Sequence, residues 1–112
     1  MKKDQLVYIE HILEAIEKIE NSLRKITKEE FKDNLDKQDA TIRRLEIIGE
    51  ATKNLTKEFM NQHMDIPWSE IIKTRDKLIH HYFGIDLDLV FEITKEEIPT
   101  LKKQLTKIIK KE

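Results

Sequence analysis

An all-α antiparallel bundle of four or five helices is the fold this sequence predicts, and three observations predict it. Apolar residues recur three or four positions apart over most of the chain, as one face of an α-helix requires. The 112 residues include only 2 Gly and 2 Pro, where average usage of roughly 7% and 5% would supply about a dozen. Folds made of many short strands need those residues in their turns, so a β-sandwich or barrel is nearly excluded. The length suits one domain, spanning residues 1–112, with a single modest core.

The first helix carries Leu6, Ile9, Ile12, Leu13, Ile16, Ile19, Leu23 and Ile26 on one side, with Asp4 placed to cap it. Glu14/Lys18 and Glu20/Arg24 on the other side add weak i,i+4 pairs. Thr27 and Glu30 have the spacing of a capping box, opening a short helical turn through Phe31. Residues 32–38 read as a connection. A second long helix comes next, with Ile42, Leu45, Ile48, Thr52, Leu55 and Phe59 on one side and Arg43, Arg44 and Lys53 largely off it. Gly49 interrupts that stripe, and since a mid-helix Gly costs about 1 kcal/mol relative to Ala, its use is to let another helix approach closely. Glu50 beside it reads as exposed.

The polar run from Asn61 to Asp65 breaks the pattern, and Pro67 near a first helical turn restarts it. This third helix is expected to run to about Phe83 and stop at Gly84. Asp86 or Asp88 caps a last segment bearing Leu89, Val90, Ile93, Ile98, Leu101, Leu105 and Ile108. Pro99 is expected to bend or divide it, with Thr94 and Glu97 capping the second part. The lysines from Lys102 to Lys111 suit the C-terminal end of a helix dipole.

Several function classes drop out. The longest strictly apolar run, Leu6 to Ile9, is far short of the roughly 20 residues of a bilayer span, so no membrane helix is expected. Glu10 and His11 interrupt any signal-peptide apolar region, and a cytosolic location is expected. No Cys is present, which removes disulfides, thiolate nucleophiles and Cys-ligated metals. His11 and His63 have no neighbours at metal-ligand spacing, and His80 and His81 are adjacent, so no metal site is read. A Gly-rich phosphate loop and a nucleophile elbow are missing, and no cofactor is implied. A net charge of −1 offers no broad field for nucleic acid, so an RNA contact has to use a local patch.

The third helix holds the anomaly. Trp68, Ile71, Ile72, Arg75, Leu78, Ile79 and Tyr82 lie on one stripe, with Arg75 at its centre. An unpaired buried guanidinium costs several kcal/mol, so Arg75 must find acids or phosphates or reach water. Asp76 and His80 on the flank are one turn apart and can meet. One reading is structural: Arg75 pairs with Glu50 or another acid, His80 is an ordinary half-exposed histidine and Tyr82 is packing. In the other, Arg75 grips phosphate while His80 moves protons, a pairing that suits attack of a 2′-OH on the adjacent phosphate. Five positions separate the two, about 140° around a helix, so convergence on one atom favours two copies meeting about a two-fold axis.

The run Arg75-Asp76-Lys77-Leu78-Ile79-His80-His81-Tyr82 resembles the Arg-x4-His-x-Tyr signature of HEPN-domain ribonucleases, in particular the HepT-like toxins. Ile47-Ile48-Gly49-Glu50-Ala51, Ile66-Pro67-Trp68 and Ile98-Pro99-Thr100-Leu101 look like landmarks of the same subfamily, in order along most of the chain. Lys73 and Thr74 depart from the Gly and apolar residue frequent in relatives, and Phe91 stands where an aromatic, often Trp, is usual. The resemblance implies a homodimeric HEPN bundle with metal-independent RNase activity at its interface. Arg75 and His80 are then the catalytic pair, Asp76 a supporting polar residue and Glu50 a candidate further support. It also implies a nucleotidyltransferase antitoxin that adenylylates Tyr82, setting bulk and a phosphodiester charge beside Arg75. The rival readings are a cleft that binds nucleotide or RNA without cutting it, to regulate a partner, and a purely structural helical dimer.

Overall fold

The computed structural model describes residues 2–80 and 84–111, with side chains throughout those ranges except at residues 2, 3, 79 and 80. Its elements in order are α1 (Lys2–Leu23), α2 (Lys28–Lys32), α3 (Leu35–Lys53), α4 (Lys57–Asn61), α5 (Trp68–His80), α6 (Leu87–Glu92), a π-helical turn (Ile93–Glu97) and α7 (Ile98–Lys111). Among the described residues the regular structure is entirely helical.

The periodic stripe of α1 is the floor of the core. Ile9, Ile12, Ile16, Ile19 and Leu23 are each 1% exposed or less, and burying such side chains stabilises by roughly 1.5–3 kcal/mol apiece. They meet Leu45 and Ile48 of α3, Val90 and Phe91 of α6, and Ile98, Leu101, Leu105 and Ile108 of α7 in one cluster. Polar contacts fix the directions. Lys37 Nζ near the start of α3 donates to Ser22 O at the end of α1 (2.7 Å), and Thr56 N just beyond α3 donates to Gln5 Oε1 near the start of α1 (2.8 Å). Lys95 Nζ donates to Leu23 O (3.0 Å) and Lys102 pairs with Glu20 (2.7 Å). So α3 and α7 both run antiparallel to α1, and two lysines satisfy carbonyls at a helix end that has no basic residue of its own.

Several expected boundaries move. Asp4 does not cap α1, because the helix already begins at Lys2; it sits in the first turn, where its charge still favours the dipole. The capping box at Thr27 forms as expected, with Thr27 N donating to Glu30 Oε1 (2.9 Å) and Glu30 N to Thr27 Oγ1 (3.1 Å). Residues 32–38 are not a simple connection. Asn34 caps α3 by accepting from Lys37 N (3.0 Å), and the Gln38 amide bonds the carbonyls of Phe31 and Lys32. The polar character of residues 36–39 hides this first turn from a search for apolar spacing.

At the other end, α3 stops at Lys53 instead of continuing to Phe59. Asn54 bonds back to Glu50 O, and Thr56 caps the separate helix α4 by accepting from Phe59 N (3.1 Å). Such side chains offer the backbone an alternative to the helical ladder. Leu55 and Phe59 are buried all the same, at 5% and 4% exposure, so the apolar spacing survives the break that it conceals. Of the polar run 61–65, residues 62–65 form a turn, and the Trp68 indole N–H ties this stretch to α5 through the carbonyls of Met60 and His63 (3.2 and 3.0 Å).

Asp86 caps α6 by accepting from Leu89 N (3.1 Å). Pro99 does not divide the last segment, since residues 87–111 stay helical. The adjustment lies one turn earlier, in the π-helical segment, where Ile98 N bonds to Ile93 O five residues back. Widening that turn eases the clash of a helical proline ring with the carbonyl four residues before it. Thr94 does not cap a new helix; its hydroxyl is buried and donates to Phe91 O (2.6 Å). No helix among the described residues is long and apolar enough to cross a membrane.

Candidate functional site

Helix α5 packs along α3, and Gly49 of α3 faces Arg75 of α5 at close range. A Cβ built on Gly49 would lie 2.6 Å from Arg75 Cγ, and closer still to its Cβ. The absence of a side chain at position 49 therefore lets the Arg75 stem lie against the backbone of α3. This is the close approach that the sequence assigns to Gly49.

The stem delivers the guanidinium to two acids. Arg75 Nη2 lies 2.6 Å from Glu50 Oε2, and Nη1 lies 3.0 Å from Asp76 Oδ1. One acid belongs to α3 and the other to α5, so the head is held from two sides in a fixed plane. The Arg75 side chain is 21% exposed, Glu50 58% and Asp76 44%. Arg75 Nε is buried without a hydrogen-bond partner among the described residues. The side chain is thus half-buried, with both terminal nitrogens on carboxylates and Nε enclosed.

Lys53, one turn beyond Gly49 on α3, places its Nζ 3.8 Å from Asp76 Oδ1. Sequence reasoning sets Lys53 aside, off the apolar stripe. The signal that finds it is positional: if Gly49 marks the crossing with Arg75, the residue one turn along α3 faces the residue next to Arg75. The sequence offers Glu50 as a structural partner of Arg75 and Asp76 as a supporting residue, and the structure brings all three together. The exposure expected of Glu50 and its pairing with Arg75 both hold.

His80 is the last described residue of α5, and the chain is α-helical from Arg75 to it. Positions 75 and 80 therefore stay about 140° apart around the axis. The His80 side chain and the whole of Tyr82 lie outside the described residues, as does the expected end of the helix near Phe83; Gly84 beyond them has φ +70°, a conformation that favours glycine. Among the described residues no three His, Asp or Glu side chains gather as a metal site would require.

A groove of about 410 Å³ opens on another side of α5, against the π turn and α7, floored by Leu45, Ile48, Ile71 and Leu101. Asp65, Glu70, Glu96 and Glu97 line it, which makes it a poor place for a polyanion.

The family model described as ribonuclease HepT-like matches residues 12–108. The chain is 47% identical over 110 residues to the "Probable ribonuclease HepT" of Thermococcus cleftensis, covering 98% of this chain and 100% of that protein. It is 46% identical over 105 residues to a "Putative RNase" of Caldanaerobacter subterraneus subsp. tengcongensis, covering 94% of each. A "Gamma-glutamylcyclotransferase and putative RNase" of Methanocaldococcus jannaschii is 49% identical over 109 residues, which are 97% of this chain and 49% of that protein. The chain thus spans about half the length of that last relative. No solved structure matches. On the family match and these relatives, the chain belongs to the HepT-like ribonuclease family.

Proposed function

We propose that the chain is a metal-independent endoribonuclease toxin that cuts RNA at an Arg75/His80 site completed by a second copy. The observation that supports this reading is the Arg75 guanidinium, held by Glu50 and Asp76 on the helix that also carries position 80. A cation fixed in orientation before substrate arrives stabilises developing charge without reorganising.

In the proposed reaction His80 accepts the proton of a ribose 2′-OH as that oxygen attacks the adjacent phosphorus. The P–O5′ bond breaks, a 2′,3′-cyclic phosphate remains on one product, and the departing 5′ oxygen takes up a proton from a histidine. Arg75 neutralises the charge that builds on the nonbridging oxygens. Two copies of the site supply a base and an acid from two His80 residues, which meets the difficulty of the 140° separation. Asp76 and Glu50 are positioning residues for Arg75.

The same reading includes a nucleotidyltransferase antitoxin. Adenylylation of Tyr82 forms a phosphodiester between its phenolic oxygen and AMP, with pyrophosphate leaving from ATP. The added anion competes with RNA for Arg75.

Total RNA incubated with the purified protein in excess EDTA tests the central statement. Cleavage is expected in the wild type and absent from Arg75→Ala and His80→Ala. RNA that stays intact but is bound would instead support the regulator that binds without cutting. A monomer by light scattering at micromolar concentration would sink the shared site, and an unmodified Tyr82 by mass spectrometry after coexpression with such a transferase would sink the inhibition.

A further inference from the structure

Among the described side chains, Asp76 Oδ1 is approached by Arg75 Nη1 at 3.0 Å and by Lys53 Nζ at 3.8 Å, cations from two helices. Building on the ribonuclease reading, we propose that Lys53 is a second phosphate-binding residue of the site, taking a nonbridging oxygen of the RNA backbone beside the phosphate held by Arg75.

Charge is the first argument. Among the described side chains joined by these contacts, the charges of Arg75 and Lys53 balance those of Glu50 and Asp76. Without Lys53 the same cluster would carry a net negative charge and repel the polyanion that Arg75 is there to bind.

Availability is the second. Both terminal nitrogens of Arg75 already have carboxylate partners within 3.0 Å, and its side chain is 21% exposed. The Lys53 side chain is 44% exposed, and its pairing at 3.8 Å is too long for a hydrogen bond. An ammonium has three donors on a flexible stem, so it can turn from Asp76 to a phosphate with little loss.

Direction is the third. The groove on the α7 side of α5 is lined by Asp65, Glu70, Glu96 and Glu97, which disfavours RNA there. A strand reaching Arg75 is steered to the α3 edge, where Lys53 stands one turn from Gly49.

The test uses Lys53→Met and Lys53→Arg in the full chain. Cleavage of a single-stranded oligoribonucleotide is measured, together with salt-dependent binding of a 2′-deoxy version that lacks the nucleophile. Lys53→Met is expected to raise KM and Kd about fivefold, leave kcat within twofold, and flatten the slope of log K against log salt by about 0.7, the value for one phosphate contact on a single strand. Lys53→Arg is expected to restore all three.

An unchanged KM and slope in Lys53→Met, beside an active wild type, overturns the inference and leaves the ribonuclease reading standing. A fall in kcat or in melting temperature with an unchanged slope also overturns it, because Lys53 would then only prop Asp76. A wild type that neither cuts nor binds the oligonucleotides overturns both. Should Lys53→Met fail to fold, Lys53→Gln, which keeps a polar head without the charge, is judged by the same slope.

Discussion

Gly49 and Arg75 occupy complementary space: the room a side chain at position 49 would need is filled by Cβ and Cγ of Arg75. The clash would involve atoms next to the backbone of α5 and not the mobile end of a side chain, so it cannot be relieved by a change of rotamer. A methyl group at position 49 has to push the two helices apart.

Gly49→Ala therefore sets two effects against each other. Alanine gains about 1 kcal/mol in helix propensity, while overpacking costs about 1–3 kcal/mol. The expected net result is a folded protein destabilised by up to about 2 kcal/mol, with RNA cleavage lost because Arg75 is displaced from Glu50 and Asp76. Thermal melting by circular dichroism and a cleavage assay check the pair of outcomes. A variant as active as the wild type would show that the close approach does not set the position of Arg75.

Glu50 holds Arg75 Nη2 at 2.6 Å but is itself 58% exposed. Exposed carboxylates contribute about 0–1 kcal/mol through such pairs, so Glu50→Gln is expected to change stability by less than about 1 kcal/mol. Its effect on catalysis should be larger, a fall of about tenfold in kcat, equivalent to roughly 1.4 kcal/mol, with KM within twofold. Steady-state kinetics on an oligoribonucleotide decides it. A faster variant would mean that Glu50 competes with phosphate for Arg75 instead of aiming it.

The long amphipathic stretches are legible in the sequence because burial dictates their period. Ile9, Ile12, Ile16, Ile19 and Leu23 of α1 are buried where the spacing puts them, while Leu6 and Leu13 are partly buried and Ile26 lies past the end of the helix. Leu55 and Phe59 are buried too, although the break in the helix between Lys53 and Lys57 leaves no mark on that spacing. Breaks made by Asn34, Asn54 and Thr56 depend on short side chain to backbone bonds that leave the apolar spacing intact, so periodicity is blind to them. At the site, Arg75 is legible as a charge in an apolar stripe, and Gly49 as a glycine at a helical cost. Lys53 is not, because its role depends on which residues the crossing of α3 and α5 brings together, and that is a property of tertiary packing.

Pro99 offers a test of the π-helical turn. Removing that turn would rotate α6 by about 100° relative to α7, carrying Val90 and Phe91, 2% and 9% exposed, out of the core. The turn is therefore expected to persist in Pro99→Ala, and the gain in stability to stay well below the roughly 3 kcal/mol that separates Ala from Pro in a regular helix interior. Chemical denaturation measures the gain. A stabilisation of about 3 kcal/mol or more would show that the proline strain is not relieved by the turn before it.

The capping box at the start of α2 gives a pH dependence of known sign. Glu30 accepts a hydrogen bond from the Thr27 backbone N–H, and together with the Thr27 hydroxyl this holds its carboxyl below the ordinary value. A carboxylate whose folded pKa is depressed contributes stability above its unfolded pKa, roughly 4.3, and loses it as pH falls through the folded value. The melting temperature of Glu30→Gln should therefore lie below that of the wild type at pH 7, and the gap should close as the pH is lowered past 4. Thr27→Ala, which removes the hydroxyl that accepts from Glu30 N, is expected to cost about 1 kcal/mol at pH 7. Melting curves from pH 7 to pH 3 follow the gap directly. A gap between wild type and Glu30→Gln that stays constant across that range would show that the ionised form of Glu30 has no advantage over a neutral amide at the cap.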